Sequence, residues 1–89
     1  MTADTLNDAI RIYGKSAQVD MAIEEMSELH VALLHERRGR ENNIAEEIAD
    51  TEIMLQQLEM IFDVSKEVET IKAEKLERLK ERLKGKTQC

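Results

Sequence analysis

Four carboxylates carry the chemistry in this sequence. Glu25 and Glu28 stand three residues apart in the run Ile23-Glu24-Glu25-Met26-Ser27-Glu28-Leu29. Glu47 and Asp50 repeat that spacing in Asn43-Ile44-Ala45-Glu46-Glu47-Ile48-Ala49-Asp50. On an α-helix, residues three apart lie about 60° apart, so each pair presents two carboxylates to one side. A single pair of this kind is ordinary, since glutamate is a good helix former and most helical glutamates are solvated. Two pairs on helices that face each other are different. Carboxylates that converge cannot all ionise without compensation. Oxygen-only donors select a hard cation, magnesium or manganese, over zinc or copper, and helical bundles build metal centres in this manner.

The elements that must position these acids can be read from the apolar spacing. Strict alternation is absent, so no strand is expected. Asp4 or Thr5 can cap a first helix carrying Leu6, Ile10 and Tyr13, which Gly14 ends. Ser16 can cap a second helix to about Arg38, with Val19, Ala22, Ile23, Met26, Leu29 and Leu33 as its buried stripe. The polar stretch from Arg37 to Asn43, with Gly39, reads as a loop. Asn43 with Glu46 resembles a capping box opening a third helix that runs to about Phe62. Asp63 or Ser65 caps a fourth, ending near Gly85, beyond which the last residues fray.

Helical geometry places the acids on these elements. With Ile44 at zero, Ile48, Leu55, Leu58 and Phe62 cluster within about 40° and form the expected core stripe of the third helix. Met54 and Ile61 extend that face to one side. Glu47 falls at about −60° and Asp50 at about −120°, inside or beside the extension, while Glu52 and Glu59 lie on the opposite flank. With Val19 at zero on the second helix, Glu25 lies at about −120° and Glu28 at about 180°, bracketed by Met21 and Ala32; Glu24, at about 140°, points elsewhere. Antiparallel packing of the two helices would bring the four carboxylates together. A carboxylate placed beside apolar side chains demands a partner or a metal.

The fourth helix starts with Val64, Val68 and Ile71 on one face, and the same stripe continues into Lys75, Arg78 and Arg82. Leu76, Leu79 and Leu83 form a second stripe about 100° round. Cations on a face that began as core can clamp phosphates beside the acids, or snorkel, or support the acids as salt bridges. The charge is divided accordingly: residues 1–65 hold 14 acids and 5 bases, and residues 66–89 hold 5 acids and 8 bases.

Composition narrows the class. The chain has 89 residues, a formal charge of −6, 42% hydrophobic and 2% aromatic residues, and no proline. One small domain, residues 1–89, is expected. No apolar run approaches the roughly 20 residues of a membrane span, and no signal-peptide pattern opens the chain. The single cysteine, Cys89, excludes a disulfide framework and a cysteine-based zinc site. Acidity and the lack of aromatic platforms argue against binding a nucleic-acid polymer. A soluble, cytoplasmic, all-α domain is what these figures leave. Four helices in a chain this short make a thin core, because small domains bury only about 60% of their unfolded surface. A bundle completed by homo-oligomerisation is therefore expected. His30 reads as a packed core histidine and His35 as exposed; Met21, Met26, Met54, Met60 and Phe62 read as core. No glycine-rich phosphate loop is present.

The doubled motif, with Gly14-Lys15 and Gln18 before it and Leu55 after it, resembles the MazG-like family of all-α nucleoside triphosphate pyrophosphohydrolases, whose hallmark is E-x-x-E, a spacer, and E-x-x-D. Here 18 residues separate Glu28 from Glu47, and the resemblance spans about residues 10–83. It implies a four-helix MazG-like bundle that forms homodimers or homotetramers. It also implies magnesium-dependent cleavage of a (d)NTP between the α and β phosphates, with manganese as a substitute. Glu25, Glu28, Glu47 and Asp50 would be the metal ligands, with Glu24 as a further shell or as the group orienting water. Gln18 would lie near the nucleotide, and Lys75 and Arg78 would hold the leaving pyrophosphate, from the same or a neighbouring subunit. A related phosphoribosyl-ATP pyrophosphatase-like activity, or a non-catalytic helical oligomerisation or regulatory module, are the alternatives.

Overall fold

The computed structural model describes residues 2–87; Cys89 lies outside them. It contains α1 (Thr2–Tyr13), α2 (Lys15–Arg37), α3 (Ile44–Ile61) and α4 (Ser65–Thr87), with no strand among the described residues. None of these helices is long and apolar enough to cross a membrane.

The joints follow from local chemistry. Gly14 ends α1, its N–H reaching the Ile10 carbonyl at 2.9 Å, and at the same time caps α2, whose Gln18 N–H reaches the Gly14 carbonyl at 3.1 Å. One residue does both because its φ of 95° and ψ of 149° are open to glycine and closed to other side chains. Ser16 is therefore inside α2 rather than its cap. After Arg38, Gly39 turns left-handed, and the N–H groups of Gly39 and Arg40 close on Glu36 and His35, a Schellman end. The same device ends α3: Asp63 takes φ 54°, and the N–H groups of Asp63 and Val64 bond to Met60 and Glu59. Asp63 thus closes α3 instead of capping α4, and Ser65 is the first residue of α4, with Val64 accepting from the Val68 N–H at 2.9 Å. Asn43 does occupy the N-cap of α3, but its side chain makes no capping bond; its Nδ2 donates to Glu47 Oε1 at 2.8 Å, so the expected capping box with Glu46 does not form.

The core lies between α2 and α3. They run antiparallel, with Glu25 opposite Thr51, whose Oγ1 donates to the Glu25 carbonyl at 3.5 Å. The buried positions are Gln18, Ala22 and Ala32 on α2 and Glu47, Thr51, Met54 and Gln57 on α3, joined by Leu6 from α1. This corrects the expected stripes. Ile23, Met26 and Leu33 on α2, and Ile48, Leu55 and Phe62 on α3, are exposed, as are Met21 and His30, while His35 is half-buried. The small Ala22 and Ala32 let the two backbones approach along the polar seam, which turns the larger apolar residues away from it. Right-handed helices packed antiparallel carry both exposed apolar stripes to one side of the pair and Glu28, Glu46 and Asp50 to the other.

α1 packs against α2 and α3, whereas α4 meets α3 alone among the described helices. Val64, just before α4, and Val68, in its first turn, are half-buried and line one groove with Leu58, and every side chain from Glu69 to Lys86 is exposed. The accessible surface is 7267 Å², against about 5,400 Å² for a folded monomer of this mass.

Candidate metal centre

Glu47 stands at the centre of the acidic group. It is only 4% exposed, on the first turn of α3, where the helix dipole favours a negative charge. Carboxylate oxygens of Glu25, Glu28 and Glu47 can lie within 4.8 Å of one another, and so can those of Glu46, Glu47 and Asp50. The four expected ligands are thus brought together as two trios that share Glu47. Glu46 is an addition, since its spacing from Asn43 marks it as a capping residue. The signal that points to it is its place one residue from Glu47, on the acid side of α3.

The electrostatics are those of a group that attracts a cation. Among the described residues, Glu25 Oε2 and Glu47 Oε2 are buried with no hydrogen-bond partner. The only partner of Glu47 Oε1 there is the Asn43 amide. Burial, followed by the charges of Glu28, Asp50 and Glu47, pushes the Glu25 carboxyl above its ordinary value near 4.5. Burial and then Glu28 push the Glu47 carboxyl up in the same way, with the Asn43 amide opposing. No lysine or arginine pairs with these acids among the described residues; the ion pairs seen are Arg11–Asp8 and Lys84–Glu81 on the surface. A depression of about 150 Å³ opens beside the group, lined by Glu25, Asp50, Met21, Ile53 and Met54.

The other expected site residues are dispersed. Glu24 is exposed on the outer side of α2 and belongs to neither trio. Gln18 is buried in the same seam, two turns before Glu25. Gln57, which no sequence motif marks, is 4% exposed and its Oε1 has no partner among the described residues. Lys75 and Arg78 are exposed on the part of α4 that leaves the body, away from the seam of their own chain. Compared with family models, characterised proteins and solved structures, the chain gives no match.

Proposed function

We propose that this chain is a magnesium-dependent nucleoside triphosphate pyrophosphohydrolase of the MazG-like type, converting a (d)NTP to the monophosphate and pyrophosphate. The observation that carries the reading is the pair of buried, partnerless carboxylate oxygens on Glu25 and Glu47, inside a group of acids to which no lysine or arginine is paired among the described residues. A seam that served packing alone would not retain them, because an uncompensated buried carboxylate destabilises the fold.

Glu25, Glu28, Glu47 and Asp50 would hold the magnesium ion, or manganese in its place, with Glu46 as the third member of the second trio. Bound there, the ion neutralises phosphate charge and lowers the pKa of water. Glu24, about 40° from Glu28 on α2, would orient the attacking water. Gln18 offers an uncharged amide to the nucleotide two turns from the acids. Lys75 and Arg78 would receive the departing pyrophosphate as charge-assisted partners. Because α4 carries them away from their own seam, they would serve a neighbouring copy in a homodimer or homotetramer.

The exposed apolar stripes favour a second reading, a helical oligomerisation module without chemistry. Pyrophosphate release separates the two. Wild-type protein is offered canonical, deoxy and oxidised nucleoside triphosphates with magnesium, and release is expected from at least one. Asp50→Asn is expected to lower turnover by about 100-fold or more with its helical content unchanged. No release from any nucleotide, with magnesium or manganese, would sink the enzymatic reading.

A further inference from the structure

We infer that Asn43 makes Glu47 a one-oxygen ligand and so biases the acidic group toward a small octahedral cation and away from calcium; the inference rests on the cation centre proposed above. Asn43 stands at the N-cap of α3 and holds Glu47 twice. Its carbonyl accepts from the Glu47 N–H at 3.0 Å, and its Nδ2 donates to Glu47 Oε1 at 2.8 Å. An ionised carboxylate can only accept, so the amide must face it with its NH₂ group.

An asparagine at this position ordinarily turns its side-chain oxygen to the first N–H groups of the helix. Here no such capping bond forms. The Ile44 N–H donates instead to Asn42 Oδ1, at 3.4 Å. Two consecutive asparagines thus divide two tasks: Asn42 faces the helix end, and Asn43 faces the acid. Helix closure alone gives no reason to turn the Asn43 amide toward a carboxylate four residues on.

The consequence lies in the two oxygens of Glu47. Oε1 has an amide hydrogen beside it, whose partial positive charge repels a cation on that side. Oε2 is buried with no partner among the described residues, in a residue only 4% exposed. Both carboxylate trios include Glu47. A cation drawn to either trio therefore meets Glu47 through Oε2, and two-oxygen capture would have to displace a charge-assisted bond. Cations differ in how much this matters. Calcium takes about six to eight oxygens and readily grips a carboxylate by both. Magnesium demands near-octahedral order, keeps several waters and needs only single carboxylate oxygens. Restricting Glu47 to one oxygen deprives calcium of a ligand and magnesium of none. Asn43 is a positioning residue, acting on the cation through Glu47.

The test is cation binding by the full chain without nucleotide, read from the free-manganese signal in electron paramagnetic resonance, with magnesium and calcium as competitors. Serine caps a helix as well as asparagine does, but it is too short to reach Glu47. Asn43→Ser is therefore expected to keep its helicity in chelator, by circular dichroism. It is expected to weaken magnesium by about tenfold, as loss of a side chain that orients a metal ligand does, and to leave calcium affinity equal or higher. The ratio of calcium to magnesium affinity thus rises by about tenfold. Asn42→Ala removes the neighbouring amide without touching Glu47 and is expected to leave the ratio unchanged. If the serine variant loses helicity, Asn43→Thr, which also caps, takes its place. A ratio unchanged in the Asn43 variant overturns the inference alone, whether both cations bind as before or both weaken alike; the latter would make Asn43 a merely structural residue. So does an equal change in Asn42→Ala, which would assign the effect to the loop. The expected ratio with no pyrophosphate released from any nucleotide supports the inference and sinks the enzymatic reading. A wild type that binds no divalent cation overturns both.

Discussion

Replacing Glu47 by glutamine preserves side-chain shape and removes one charge from the middle of the acidic group. Glu47 belongs to both carboxylate trios, so its loss breaks each of them. A cation at 100 times its dissociation constant stabilises a folded protein by about 2.7 kcal/mol. For a domain of this length that corresponds to a rise in Tm of roughly 10–20 °C. If Glu47→Gln weakens the site about 100-fold, the rise at the same magnesium concentration shrinks to roughly 2–3 °C. Without the cation the order reverses. The introduced amide can still accept from the Asn43 amide, as Glu47 Oε1 does at 2.8 Å, and its own NH₂ can donate to the neighbouring carboxylates where Glu47 repelled them. The metal-free variant is therefore expected to melt at or above wild type. Differential scanning calorimetry in chelator, magnesium and manganese, at matched ionic strength, reads both quantities. A wild type that ignores divalent cations, a variant that keeps the full shift, or a metal-free variant that melts well below wild type would each refute the reasoning.

Three further outcomes are expected. In chelator, stability falls as pH rises from about 4.5: the folded state holds the Glu25 and Glu47 protons more tightly than the unfolded chain, so stability is lost from the ordinary carboxyl value up through the raised ones. Melting temperatures between pH 4 and 7.5 check this, and a rise across that range contradicts it. Met54→Ala costs about 2–5 kcal/mol in urea unfolding, because Met54 is 6% exposed in the α2–α3 seam; a loss below about 1 kcal/mol would place the core elsewhere. Gly14→Ala costs about 1–3 kcal/mol from backbone strain alone, since φ is 95° and a Cβ there meets nothing within 4 Å. A neutral result in the same unfolding assay would show that the α1–α2 joint relaxes freely.

Local signals read well. Four helices, the glycine between the first two and the polar loop before Asn43 are each set by neighbours a few residues away, and each is seen. The ends are less legible where one residue can serve two roles. Asp63 is a good N-cap by type, yet it also tolerates a left-handed conformation, and here it closes α3. The acid pairs are visible from their spacing, including Glu47 on the side of Met54. The inclusion of Glu46 is not, because a first-turn glutamate commonly serves the capping box instead.

The helices, and the side of each helix on which its acids stand, follow from local order alone, since a 3.6-residue repeat needs nothing beyond neighbouring residues. Which face each helix buries is set by packing between helices. α2 offers a broad apolar stripe and a narrow seam of Gln18, Ala22, Glu25 and Ala32, and α3 offers the stripe of Ile48, Leu55 and Phe62 beside the seam of Glu47, Thr51, Met54 and Gln57. Periodicity favours the apolar stripes. The packed pair uses the seams, because alanine lets the backbones draw close and the antiparallel register sets Glu25 across from Thr51. That choice depends on residues more than 20 positions apart, and it both buries Glu47 and leaves the apolar stripes facing outward.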